Sequence, residues 1–250
     1  MKILAVDTSS KTAYAALVTD TKDGRLVPSA QYSFTADSHT VALAKMTDSI
    51  FNLTGVDFDD IDFYAAAVGP GSFTGIRIGV SAVKGYAFVD SKPCVGVSSL
   101  EALASALTGI CGIITPLIDA RRETYYTAAF LSDGNGEIRR LTDDAQLEKE
   151  EYFNMIKKIR AEYPDEKIIL TGDGAESIKK TAPEYGFKPD LISANAAYGA
   201  AAAAYKIWNS ASDHSIFTDV NLQPVYLKKS QAERERDERI AAEKSNAHGE

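Results

Sequence analysis

The chain has 250 residues, 45% of them hydrophobic, a formal net charge of −8 and a pI near 5.0. Its apolar content suffices for one large core or two medium ones, and the acidic balance excludes an autonomous nucleic-acid binder, which needs a basic stripe. The apolar runs stay short of the roughly 20 residues that a membrane span requires.

The opening run, Met1-Lys2-Ile3-Leu4-Ala5-Val6-Asp7, reads as a buried strand that meets a carboxylate after four apolar residues, too early for a signal peptide. An alternating strand rich in Thr, Tyr and Ala follows, so the first segment is a hairpin. Ser38 is placed to cap a helix running to Leu53, with Leu43, Met46, Ile50 and Leu53 on one face and Gly55 as its stop. The apolar stretch from Phe63 to Val68 then enters Gly69-Pro70-Gly71-Ser72-Phe73-Thr74-Gly75-Ile76-Arg77-Ile78-Gly79, a tight turn leading into a helix from Thr74 to Val89.

Further on, Ser98 or Ser99 caps a helix through Ala106, and the polar residues from Asp133 to Glu137 close a second hairpin. Glu148 to Tyr163 reads as a helix ended by Pro164. Ala194 to Asn209 reads as an Ala-rich helix whose bulky contacts are Tyr198, Tyr205 and Trp208. The last residues, from Lys228, are nearly all charged or small and predict a solvated helical tail. Cys94 and Cys111 sit in apolar contexts that predict buried thiols; they offer neither a metal spacing nor a disulfide framework. A reducing, cytoplasmic setting is expected.

The chain repeats itself. A shift of 112 positions lays Val6 on Ile118, Asp7 on Asp119, Thr12 on Thr124, Tyr14 on Tyr126 and Ala16 on Ala128. Likewise Tyr64–Val68 enters Gly69-Pro70-Gly71 and a helix, as Lys167–Thr171 enters Gly172-Asp173-Gly174 and a helix. Repetition at half the chain length implies a duplicated α/β unit rather than a solenoid. Two lobes that each begin with a strand–Asp–turn–strand hairpin predict the actin, sugar-kinase and Hsp70 (ASKHA) type of architecture, with mixed sheets flanked by helices. The expected partition is residues 1–105 plus about 195–228 in the first lobe, 106–194 in the second, and a tail at 229–250.

In that architecture the hairpin turns face each other across a cleft. Asp7 and Ser9 belong to the first turn, Asp119 to the second, and Gly69, Gly71 and Ser72 open onto a helix N-terminus, a natural cradle for an anion. Kinase-like members carry glycine two residues after the Asp, where this chain has Ser9, which blunts the nucleotide signal. Asp7 and Asp119 fit either a carboxylate pair across the cleft or plain turn hydrogen bonding. Neither cysteine has a basic neighbour, and no Gly-x-Ser-x-Gly elbow is present. The three histidines, His39, His214 and His248, lie far apart in sequence and predict no ligand set.

With both lobes in view the chain resembles the TsaB (YeaZ) family of bacterial tRNA threonylcarbamoyladenosine biosynthesis proteins, from residue 1 to about 228. The matching motifs are Ile3-Leu4-Ala5-Val6-Asp7-Thr8-Ser9, the glycine motif from Gly69 to Gly79, Val97-Ser98-Ser99-Leu100-Glu101-Ala102-Leu103-Ala104, Asp119-Ala120-Arg121-Arg122 and Pro224-Val225-Tyr226-Leu227. The resemblance implies a non-catalytic paralogue of TsaD. The catalytic subunit carries two metal-binding histidines in a His-Leu-Glu-Gly-His arrangement, and the matching positions here are Ser99 and Leu103, neither a competent ligand. No catalytic residue and no metal are therefore expected, while ATP or ADP at the cleft or a partner interface stays open.

The implied partners are a TsaD-like catalytic paralogue and a TsaE-like ATPase, with tRNA met only through the complex and a homodimer when the chain is alone. The interface is expected on two helices of the first lobe, through Thr74, Ile76, Arg77, Gly79, Val80, Val83 and Tyr86 together with Leu43, Met46 and Ile50. Arg77 at a helix start opposes the dipole, so it predicts an anionic or carbonyl partner, or else a surface ion pair. The other readings kept open are a nucleotide-binding ASKHA module and a glycoprotease-like peptidase.

Overall fold

The computed structural model describes residues 1–227 apart from 23, 36 and 37; the expected tail, with His248, lies outside the described residues. Strand β1 (Lys2–Asp7) is buried throughout because it sits mid-sheet with both faces covered. Its residues alternate between two cores. Leu4 and Val6 join the layer of α1 (His39–Thr54) and α2 (Phe73–Asp90), while Ile3 and Ala5 face α6 (Ala196–Ser210).

The first sheet has the order β3-β2-β1-β4-β5, built from β2 (Thr12–Asp20), β3 (Leu26–Thr35), β4 (Phe63–Gly69) and β5 (Cys94–Ser98) around β1. β1 runs antiparallel to β2 and parallel to β4. The second sheet repeats the plan as β10-β7-β6-β11-β12, formed by β6 (Cys111–Asp119), β7 (Thr124–Thr127), β10 (Ala145–Glu148), β11 (Ile168–Thr171) and β12 (Asp190–Leu191). β6 again pairs antiparallel with its hairpin partner and parallel with β11. This is the duplicated ASKHA architecture that the sequence repeat predicts.

The two copies differ in register. Asp7 pairs with Tyr14, whereas Asp119 pairs with Tyr125 rather than with the shifted match, Tyr126. The second turn is one residue shorter, and a one-residue slip exchanges the faces of every side chain that follows. β7 also breaks after Thr127 and resumes as β8 (Phe130–Asp133) on the same β6, because Ala129 turns its backbone to Leu141 and Thr142. β8 then pairs with β9 (Ile138–Arg140) across the expected polar loop.

Helix α3 (Ser99–Ser105), capped by the Ser98 hydroxyl, and α6 lie between the sheets. Helices α4 (Lys149–Glu162) and α5 (Ala175–Thr181) cover the far face of the second sheet. Arg140 bridges Glu101 at 2.8 Å and Asp144 at 2.5 Å, and Ser98 Oγ donates to Asp144.

Three expectations need correction. Leu53 is 75% exposed, because the last turn of α1 runs past the sheet. Ser38 holds the N-cap position of α1 but its hydroxyl makes no capping bond; Gly55 stops the helix in the left-handed conformation as expected. Cys111 is exposed at the start of β6, near Glu166, while Cys94 is buried and its thiol is pushed up to about 11 by burial. Among the described residues no helix is long and apolar enough to cross a membrane.

Candidate functional site

The glycine motif packs directly on the first hairpin turn. α2 starts at Phe73 with Ser72 as N-cap, its hydroxyl accepting the Gly75 amide at 3.2 Å. The Ser72 amide donates to Ser9 O at 2.7 Å, and Thr8 Oγ1 donates to Gly75 O at 2.6 Å. A Cβ on Gly75 would fall on the Thr8 carbonyl oxygen, and one on Gly79 would stand 2.6 Å from Thr8 Oγ1. The glycines thus serve close approach of helix to turn. This corrects the expectation of an open anion cradle at Gly69, Gly71 and Ser72: the chain's own Ser9 carbonyl takes the Ser72 amide, and the Ser9 backbone lies where a Gly71 side chain would begin.

Both cleft aspartates brace their turns. Asp7 Oδ1 accepts the Ser9 amide at 2.6 Å and Asp119 Oδ1 accepts the Arg121 amide at 2.8 Å, the same two-residue reach in each copy. Of the two readings of this pair, turn hydrogen bonding therefore accounts for both. The second turn holds Arg121, Arg122 and Glu123 in succession at φ of 66°, 53° and 57°, each at a cost of order 1 kcal/mol for a non-glycine residue.

Asp7 is fully buried, and burial raises its carboxyl from 3.8 to about 6 against the opposing hydrogen bonds of Ser9; Asp173 raises it further and His39 lowers it. The folded chain therefore binds this proton more tightly than the unfolded chain does. Stability contributed by the protonated form is present at low pH and is lost as pH rises from about 4 to about 6, levelling above that. Asp7→Asn keeps the acceptor for Ser9 without the charge. It is expected to match the parent in urea unfolding at pH 4 and to exceed it by up to about 3 kcal/mol at pH 7.5. A constant difference across that range would show that Asp7 ionises in the fold as freely as in the unfolded chain.

A groove of about 590 Å³ lies between α1 and α2, lined by Thr40, Leu43, Ala44, Phe73, Thr74, Arg77, Ile78, Ser81, Ala82 and Tyr86. This redraws the expected interface. Ile76, Gly79, Val80 and Val83 face inward, as do Met46 and Ile50, all in the layer against the first sheet. Leu43 belongs to that core and shows only its edge to the groove. Thr74, Arg77 and Tyr86 are the expected residues that the groove presents.

Among the described residues Arg77 has neither an anionic partner nor an ion pair. Its guanidinium lies 3.7 Å over the Phe73 ring, and its Nε donates to the Tyr226 hydroxyl at 2.8 Å. The sequence missed this link to Pro224-Val225-Tyr226-Leu227, which the Val225 amide fastens to Val68 O at 2.7 Å.

Ser99 and Leu103, the positions matched to the paralogue's histidines, are both buried on α3. Leu103 packs with Ile114 and Ile118 of the second sheet. His39 reaches Ser10 O through Nε2, and His214 stacks on Trp208 at 4.0 Å. No cluster of three metal-ligating side chains occurs among the described residues.

Two sheets of duplicated plan, each opened by a strand–Asp–turn–strand hairpin, and a glycine motif seated on the first turn define a protein of the ASKHA type. The family model described as "TsaD: tRNA N6-adenosine threonylcarbamoyltransferase" matches residues 22–240. TsaB of Escherichia coli is 32% identical over 188 residues, 74% of this chain and 77% of that protein, and TsaB of Bacillus subtilis is 33% identical over 159 residues, 63% and 67%. The structure of YeaZ from Pseudomonas aeruginosa superimposes with a TM-score of 0.69 at 25% identity, covering 90% of this chain and 99% of that one. The chain belongs to this family, in its TsaB (YeaZ) branch.

Proposed function

We propose that this chain is the non-catalytic scaffold subunit of a cytoplasmic complex that forms N6-threonylcarbamoyladenosine in tRNAs reading A-starting codons. It pairs with a TsaD-like catalytic paralogue and is served by a TsaE-like ATPase. The observation that carries this reading is α3: the helix face that holds metal ligands in the paralogue is here occupied by a serine and a leucine packed into the core. Imidazoles are missing from the one place where the shared fold would position them.

The groove between α1 and α2 supplies the pairing surface. It is apolar along Ile78, Ala82 and Tyr86, which are only partly buried against the first core, and is flanked by exposed Val41 and Phe73. In the paralogue's absence two copies of this chain meet through it. ATP or ADP belongs to the assembled complex, and calorimetry with ADP, with and without the paralogue, tests that.

Reconstitution tests the whole reading. The purified chain alone is expected to show neither ATP hydrolysis nor proteolysis, and to restore tRNA modification when added to the other subunits. Ser81→Glu places a charge in the groove at an exposed position. It is expected to leave the thermal midpoint within about 2 °C and to reduce co-elution with the paralogue at least about tenfold. Undiminished pairing would remove the groove from the interface, and turnover by the isolated chain would remove the scaffold role.

A further inference from the structure

A second tie joins the lobes besides the Arg140 cluster. This tie is Asp173, in the Gly172-Asp173-Gly174 turn between β11 and α5. Its Oδ1 accepts the Asp119 amide at 2.9 Å and its Oδ2 accepts the Lys11 amide at 3.2 Å, so one carboxylate spans both hairpin turns. Lys11 Nζ closes the ring on Asp119 Oδ2 at 3.2 Å. The turn is pinned from below, where the Gly174 amide donates to Leu117 O at 3.0 Å. Asp173 is thus placed by backbone rather than by a free side-chain swing. In the other copy of the repeat the matching residue is Pro70, which has no carboxylate, so the tie comes from the second lobe only.

Outward-facing turn amides are donors for anions, and here the chain supplies the anion. We propose that Asp173 is an internal clasp that shuts the cleft between the lobes: it occupies the two amides that a phosphorylated ligand entering there would need, so such a ligand must displace it. The Asp173 tie is the one built to open. Lys11 and Asp119 are solvent-accessible, and an ion pair in that setting contributes little and is screened by salt. The tie through Arg140 is more enclosed and joins three partners.

The test uses the full-length protein, Asp173→Ala and Asp173→Asn, with amide hydrogen exchange by NMR and inorganic pyrophosphate as the calorimetric probe. In Asp173→Ala the Lys11 and Asp119 amides are expected to exchange about tenfold faster while the β1 amides stay within about twofold. Asp173→Asn keeps one acceptor oxygen and falls between. Pyrophosphate affinity is expected to rise at least about tenfold in Asp173→Ala over the parent. Unchanged exchange at Lys11 in both variants would overturn the clasp. Faster exchange without a gain for pyrophosphate would overturn its guarding of the cleft. Should Asp173→Ala also lose β1 protection, Asp173→Asn decides both points by the same readings.

Discussion

Gly199→Ala is expected to leave little folded protein. α3 and α6 cross at Gly199, where a Cβ would fall on the Ala102 carbonyl oxygen and stand 2.8 Å from the Ala106 amide nitrogen. Both obstacles are backbone, so no side-chain rotation relieves them. The helices cannot separate either, because each is held between the two sheets: α6 lays Ala197, Ala200, Ala201 and Ala204 on the first, and α3 presses Leu100 and Leu103 on the second. Overpacking ordinarily costs about 1–3 kcal/mol, and a clash with backbone at the centre of the molecule belongs at or above the top of that range. The control is Gly85→Ala, on α2, where a Cβ meets nothing within 4 Å. That change is expected to stabilise by about 0.5–1 kcal/mol through helix propensity alone. Urea unfolding followed by circular dichroism reads both, and equal midpoints would show that α6 has room to shift.

The helix positions and the duplication were legible because each is a local or periodic signal. Gly55 follows an apolar stripe, Pro164 follows Tyr163, and Asp7 and Asp119 end matching strand runs. What stayed hidden depends on pairs distant in sequence. Gly69, Gly71 and Ser72 read as an anion cradle because nothing local reveals that the Ser9 backbone presses against that turn. Arg77 read as a group awaiting an anionic or carbonyl partner, or a surface ion pair, because its actual partner, Tyr226, is 149 positions away. Asp173 gave no signal beyond its place between two glycines, although its carboxylate joins both hairpin turns. The register slip at Asp119 was hidden by the repeat itself, since aligning identical letters conceals a turn shortened by one residue.

The stripe on α2 illustrates how an amphipathic pattern can be assigned to the wrong neighbour. Ile76, Val80 and Val83 recur at helical spacing, which is equally the pattern of a face turned toward a partner and of one turned toward the chain's own sheet. The structure turns it inward, with Val83 fully buried beside Leu4, Val6 and Tyr64. Val83→Glu is therefore expected to unfold the protein rather than to leave a folded monomer. Burying an unpaired carboxylate in that layer costs several kcal/mol, against a total stability of about 5–15 kcal/mol. Ser81 stands two residues away on the same helix, about 200° round the axis, and points into the groove. Ser81→Glu is expected to keep the far-ultraviolet spectrum and the melting transition while breaking association. Light scattering and circular dichroism on the two variants therefore separate fold from pairing. A folded, dissociated Val83→Glu protein would return the stripe to the interface and refute the inward assignment.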